Sequence, residues 1–158
     1  MKKILLVTGV MLALYSVAGA QNVRLTNVQE LQNRFKSAGD TVYIVNFWAT
    51  WCKPCINELP YFEKFSTDHK SHLVKVLLVN VDAKSKLESS VKPFITRNRL
   101  KNEILFLNET AYQSKIDKSW GGALPATLLV NSKTGRRKFH ASALTYDELL
   151  KSYKEVTN

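Results

Sequence analysis

Val42 to Trp48 is a nearly continuous run of apolar, β-branched and aromatic residues, and it leads directly into Cys52 and Cys55. A strand with one wet face would alternate apolar and polar side chains; this run does not, so it reads as a strand covered on both faces. Such a strand must lie inside a layered domain, with other elements on each side of its sheet. Beyond the cysteines, Ile56, Leu59, Phe62 and Phe65 recur at roughly helical spacing. Pro54 suits the first helical positions, where a missing N–H is cheap, whereas Pro60 removes one backbone hydrogen bond from the interior and should kink the helix. The cysteines therefore fall at a strand-to-helix junction.

The rest of the chain supplies the flanking elements. Asn27 with Glu30 marks a helix start near 27–37, with Val28, Leu31 and Phe35 as its apolar stripe. Leu73 to Val81 reads as a second buried strand. Leu87, Val91, Phe94 and Ile95 mark an amphipathic helix whose start is blurred by Pro93. Ile104–Leu107 is a short strand, Thr110–Lys118 a helical turn ended by Gly121-Gly122, and Ala126–Val130 another apolar strand. Lys133-Thr134-Gly135 turns the chain into a polar edge strand near 137–141. Thr145 with Glu148 forms a capping box that opens a closing helix carrying Tyr146, Leu149, Leu150 and Tyr153 on one face. Alternating strands and helices predict an α/β fold, a mixed central sheet flanked by helices on both faces. No repeat or Pro/Gly/Ser linker interrupts residues 21–158, so they are expected to form one domain.

Lys2 and Lys3, the apolar run Ile4–Val17 and the triplet Ala18-Gly19-Ala20 have the layout of a secretory signal peptide, residues 1–20, with cleavage expected after Ala20. The run is shorter than the ~20 residues that span a bilayer, which weakens the alternative of an uncleaved anchor. Either outcome exports the domain. Cleavage would leave 138 of the 158 residues, enough to bury a core without disulfide staples. Subtracting the two leader lysines takes the formal charge from +10 to +8. Lys and Arg are spread from Arg24 to Lys154 without a block and without interleaved stacking aromatics, so nucleic acid is not an expected partner.

Three uses of the cysteine pair compete. A structural zinc site wants four Cys or His ligands, and this chain offers no second C-x-x-C and only His69, His72 and His140, which read as exposed loop or edge-strand residues. A structural clip is poor, because so short a loop removes little unfolded-state entropy. Redox chemistry fits the placement: a thiolate at the first helical turn is stabilised by unpaired backbone N–H groups and the positive end of the helix dipole. Cys52 should then be the exposed attacking sulfur, and Cys55, one turn in, the more buried resolving one. No metal or organic cofactor is called for.

W-C-x-P-C after an apolar strand resembles the thioredoxin family, and "NFWATWCKPCINELP" is similar to its TlpA/ResA branch, a resemblance that extends over about residues 40–156. It implies a thioredoxin-like fold and an exported, periplasmic thiol-disulfide oxidoreductase, commonly a reductant that keeps partner cysteines reduced, for example those of apocytochrome c. It also implies a cis-proline loop facing the cysteines. "GGALPATLLV" matches that loop, making Pro125 the candidate and Leu124 the residue whose backbone would pair with a partner peptide beside Cys52. The alternative is a proline that merely starts the next strand.

Where thioredoxins usually keep a buried aspartate beneath the cysteines, this chain has Asn46, which cannot take a proton from Cys55. Glu58 matches the glutamate of the TlpA/ResA branch and is the candidate to modulate thiol ionisation or proton transfer, against the alternative of a solvated helix-surface residue. Lys53 adds a cation between the sulfurs, which favours the Cys52 thiolate and pushes the couple toward oxidation, unless it is a solvated bystander. Trp48 is expected to pack and Trp51 to shape the partner surface together with Pro54, with ordinary core packing as the default alternative for both tryptophans. The expected partners are cysteine-containing exported proteins and a membrane thiol reductase as electron donor, with the domain a monomer. Two other uses stay open: a disulfide oxidant, and an adaptor that docks peptides with its disulfide closed.

Overall fold

The computed structural model describes residues 22–37, 39–71 and 73–158. The expected signal peptide, its reading as an anchor, and His72 lie outside them.

In chain order the elements are β1 (Arg24–Thr26), α1 (Val28–Ser37), β2 (Val42–Trp48), α2 (Lys53–Asp68), β3 (Val74–Asn80), α3 (Lys92–Asn98), β4 (Glu103–Leu107), α4 (Gln113–Ile116), β5 (Ala126–Asn131), β6 (Arg137–His140) and α5 (Tyr146–Thr157). The strands form one mixed sheet in the order β1-β4-β3-β2-β5-β6. β2 pairs in parallel with β3 and antiparallel with β5, so the strand leading to the cysteines runs through the middle of the sheet. All seven of its residues are buried, which is the reason it lacks alternation.

Alternate residues of β2 feed two cores. Val42, Ile44 and Trp48 face the side covered by Leu59, Phe62 and Phe65 of α2, Phe94 and Ile95 of α3, and Leu149 and Val156 of α5. Tyr43, Val45 and Phe47 face the side covered by Val28, Leu31 and Phe35 of α1, with Ile116 of α4 and Trp120. Helices thus cover both faces. Each fully buried Phe or Leu contributes about 1.5–3 kcal/mol by leaving water, and these residues fix α2 against the sheet.

Several expected boundaries move. The helix expected from Leu87 begins only at Lys92, preceded by a 3₁₀ turn (Lys84–Lys86) and a single π turn (Leu87–Val91). The Lys92 N–H reaches back five residues to the Leu87 carbonyl, a wider turn that accommodates Pro93, which has no N–H to give. The turn expected over 110–118 contracts to Gln113–Ile116. β1, unforeseen in the sequence, is a three-residue edge strand parallel to β4. α2 continues through Pro60 as one helix of 16 residues. The capping box at Thr145 and Glu148 is present.

Candidate active site

Cys52 is the N-cap of α2. Its backbone is extended (φ −87°, ψ 95°), and its sulfur accepts a hydrogen bond from the Cys55 N–H at 3.3 Å. One of the donors left unpaired at a helix start is therefore spent on sulfur. The Cys52 N–H donates to the Ala49 carbonyl at 3.1 Å, closing a tight turn between β2 and α2. The two sulfurs form a disulfide. Cys52 is 5% exposed and Cys55 fully buried, so the expected order holds but the expected openness of Cys52 does not. Its sulfur folds back over the first turn to cap it and is bonded to a core residue, which hides most of it.

Around this mouth Trp51 is 70% exposed and Lys53 and Pro54 are exposed, while Trp48 is buried and packs at a tilt against Phe94 with ring centroids 5.3 Å apart. The Leu124–Pro125 peptide bond is cis. Pro125 is buried and leads into β5, whose Ala126 lies opposite Phe47. That register carries the proline loop to the end of the sheet at which β2 meets α2. Leu124 is half-buried between the two cores.

Glu58 is 2% exposed, which removes the solvated-surface alternative. Its Oε1 accepts from Asn46 Nδ2 at 2.7 Å and its Oε2 from the Leu144 N–H at 2.7 Å. Asn46 Nδ2 also donates to Thr127 Oγ1 at 3.1 Å, its cross-strand partner on β5. Burial pushes the Glu58 carboxyl up from 4.5 to about 7, with the hydrogen bonds from Leu144 and Asn46 opposing that rise. Asn46, which cannot itself take a proton, thus holds the group that can. Glu58 also lines a groove of about 210 Å³ with Pro54, Asn57, Tyr61, Ala143, Leu144 and Thr145. A larger cavity, about 460 Å³ between α2 and α3, includes neither cysteine nor Glu58 in its wall.

Sequence reasoning missed Asp82. It is 5% exposed and accepts from the Thr50 N–H and Oγ1, each at 2.8 Å, and from Asn80 Nδ2 at 2.8 Å. This buried carboxylate clamps the turn two residues before Cys52. The signal was present in Asn80-Val81-Asp82, where an apolar strand ends in polar residues level with the end of β2. His69 and His140 are less exposed than expected. His69 is half-buried and stacks on Phe65 at 4.1 Å, and His140, also half-buried, shares a 2.8 Å hydrogen bond with Ser152 Oγ. Among the described residues no group of three or more His, Cys, Asp or Glu side chains is placed to hold a metal ion, and no helix is long and apolar enough to cross a membrane.

A model of the AhpC/TSA family matches residues 18–135. The chain is 29% identical over 106 residues to sporulation thiol-disulfide oxidoreductase A of Bacillus subtilis, covering 67% of this chain and 62% of that one. It therefore spans less than two thirds of that relative's length. It is 26% identical over 133 residues to thiol-disulfide oxidoreductase ResA of Geobacillus thermodenitrificans, covering 84% of this chain and 72% of that one. The crystal structure of StoA from Bacillus subtilis superposes with a TM-score of 0.58 at 28% identity over 73% of this chain and 84% of that one. A thioredoxin-related protein from Neisseria meningitidis serogroup B shares the fold, with a TM-score of 0.63 at 24% identity over 76% of this chain and 87% of that one.

Proposed function

The chain belongs to the AhpC/TSA family and has its thioredoxin-like α/β fold, and from that premise we propose that it is a thiol-disulfide oxidoreductase that uses Cys52 and Cys55 to reduce disulfides in exported proteins. The observation that carries this reading is the Cys52 sulfur at the tip of a 16-residue helix, taking a backbone N–H that has no helical partner. That environment favours a thiolate over a thiol.

In the reduced form the Cys52 thiolate attacks one sulfur of a partner disulfide. A mixed disulfide forms, and the other partner sulfur leaves as a thiolate. Cys55 then loses its proton and attacks the Cys52 sulfur, which closes the Cys52–Cys55 disulfide and releases the second partner thiolate. Two electrons pass to the partner, and both of its thiols end protonated at neutral pH. Glu58, one helical turn beyond Cys55 and poised near pH 7, is the group we assign to take the Cys55 proton and pass it toward the groove. Leu124 and Pro125 supply the edge against which the partner peptide lies, and Trp51, Lys53 and Pro54 the exposed rim beside Cys52.

Turnover as a reductant needs two electrons to reopen the disulfide, and a membrane thiol reductase is the donor class that fits an exported protein. Maintenance of cytochrome c thiols before haem attachment is one such task. The leader-like residues 1–20 support export to the periplasm. An adaptor with a permanently closed disulfide is the second reading, favoured by the 5% exposure of Cys52.

Insulin reduction tests the proposal. Acceleration over dithiothreitol alone supports it, and no acceleration favours the adaptor. Equilibration with glutathione sets the direction, since a potential near ~−270 mV suits a reductant and one near ~−120 mV an oxidant.

A further inference from the structure

Trp120 takes no part in the exchange chemistry, yet it is built into the loop that ends at Pro125. Its side chain is 4% exposed and packs against three rings from separate segments: Phe47 of β2 at 4.8 Å, Tyr112 at 5.5 Å and Phe139 of β6 at 5.6 Å between centroids. The core therefore fixes the indole independently of the loop that follows it. From that fixed position Nε1 donates to the Ala123 carbonyl at 2.8 Å, two residues before Pro125. Leaving a buried indole N–H unpaired is costly, which favours keeping this bond.

The segment it spans has little stiffness of its own. Gly121, Gly122 and Ala123 are exposed, and Gly122 sits at φ 96°, a conformation that a residue with a side chain rarely adopts. Phe47 anchors both ends of this segment, since its ring packs at a tilt against Trp120 while Ala126 lies opposite its backbone in β5. The chain between those two anchors carries Leu124.

We propose that Trp120 is a positioning residue for partner docking, its indole holding the Ala123 carbonyl so that the Leu124 backbone is already shaped to receive an extended peptide. This rests on the oxidoreductase reading above. Such pre-organisation acts on binding and leaves the chemistry of the sulfur alone.

The test replaces Trp120 by Phe, which keeps a packing ring and removes the donor. Benzothienylalanine at the same position, which keeps both rings and lacks the N–H, serves should Trp120→Phe fail to fold. Both proteins are compared with wild type in reduction of a disulfide-linked fluorescent peptide, in alkylation of Cys52 by iodoacetamide, and in backbone ¹⁵N relaxation. The expected result is a KM raised about tenfold, equivalent to about 1.4 kcal/mol of lost binding, with kcat and the alkylation rate unchanged. Order parameters at residues 121–124 should fall from about 0.85 to below about 0.6. Unchanged order parameters, or a loosened loop with an unchanged KM, would overturn the assignment, as would alkylation slowed in step with peptide reduction. A wild-type protein that reduces no peptide disulfide counts against the oxidoreductase reading instead, and the relaxation data still decide whether the indole holds the loop.

Discussion

Asn46 and Glu58 are joined by a 2.7 Å hydrogen bond in which the strand amide donates to the helix carboxyl. The bond ties the centre of β2 to α2 one turn beyond Cys55, and Leu144, just before α5, completes it from the third side. A carboxyl so enclosed is held close to its midpoint at neutral pH.

This enclosure sets a pH dependence of stability. The carboxyl titrates near 4.5 when unfolded and near 7 when folded, so between those values the folded protein binds more protons. The contribution of this carboxyl to stability is fully present below the lower value and is lost as pH rises through the window, by about 3 kcal/mol in all. Urea unfolding from pH 4.5 to 8 should show this decline, and Glu58→Gln should flatten it. The same substitution should slow insulin reduction near pH 7 by about 10²-fold if Glu58 carries the Cys55 proton.

The order of attack is testable by trapping. Cys55→Ser removes the resolving sulfur and should accumulate mixed disulfides between Cys52 and exported proteins, visible on non-reducing gels and released by dithiothreitol. Cys52→Ser should accumulate few, because Cys55 is fully buried. Equal trapping by both variants would overturn the assignment.

The Asp82 clamp should matter beyond its size. Asp82→Ala leaves the Thr50 N–H and Asn80 Nδ2 without their acceptor and should destabilise the fold by about 2 kcal/mol, read from urea midpoints. Thr50→Val keeps the backbone bond and should cost about 1 kcal/mol or less.

Phe62 shows how α2 is held. It is fully buried between the helix and the sheet, and Phe62→Ala should cost about 3–5 kcal/mol in the same assay.

The parts of this protein that announce themselves in sequence are those governed by local rules. The unbroken apolar run of β2, the helical spacing from Ile56 to Phe65 and the box at Thr145 and Glu148 each follow from a periodicity or cap that neighbouring residues satisfy. The burial of Glu58 was not decidable this way, because it depends on Asn46 and on Leu144, 86 residues further along the chain. Asp82 and Trp120 went unread for the same reason: each acts on a loop through contacts that only the assembled sheet creates. β1 escaped because its three residues carry too little pattern and take their order from β4. The openness of Cys52 was overestimated because the sequence does not reveal that its sulfur turns inward to cap the helix.

Titration of Cys52 in the reduced protein, by the pH dependence of its alkylation with iodoacetamide, addresses the proposed chemistry at its source. A sulfur stabilised by the α2 tip should react half-maximally well below the ~8.5 of an ordinary thiol, near ~7 or lower. Half-maximal reaction at ~8.5 or above, or no reaction in the folded protein, would contradict the assignment of Cys52 as the attacking sulfur.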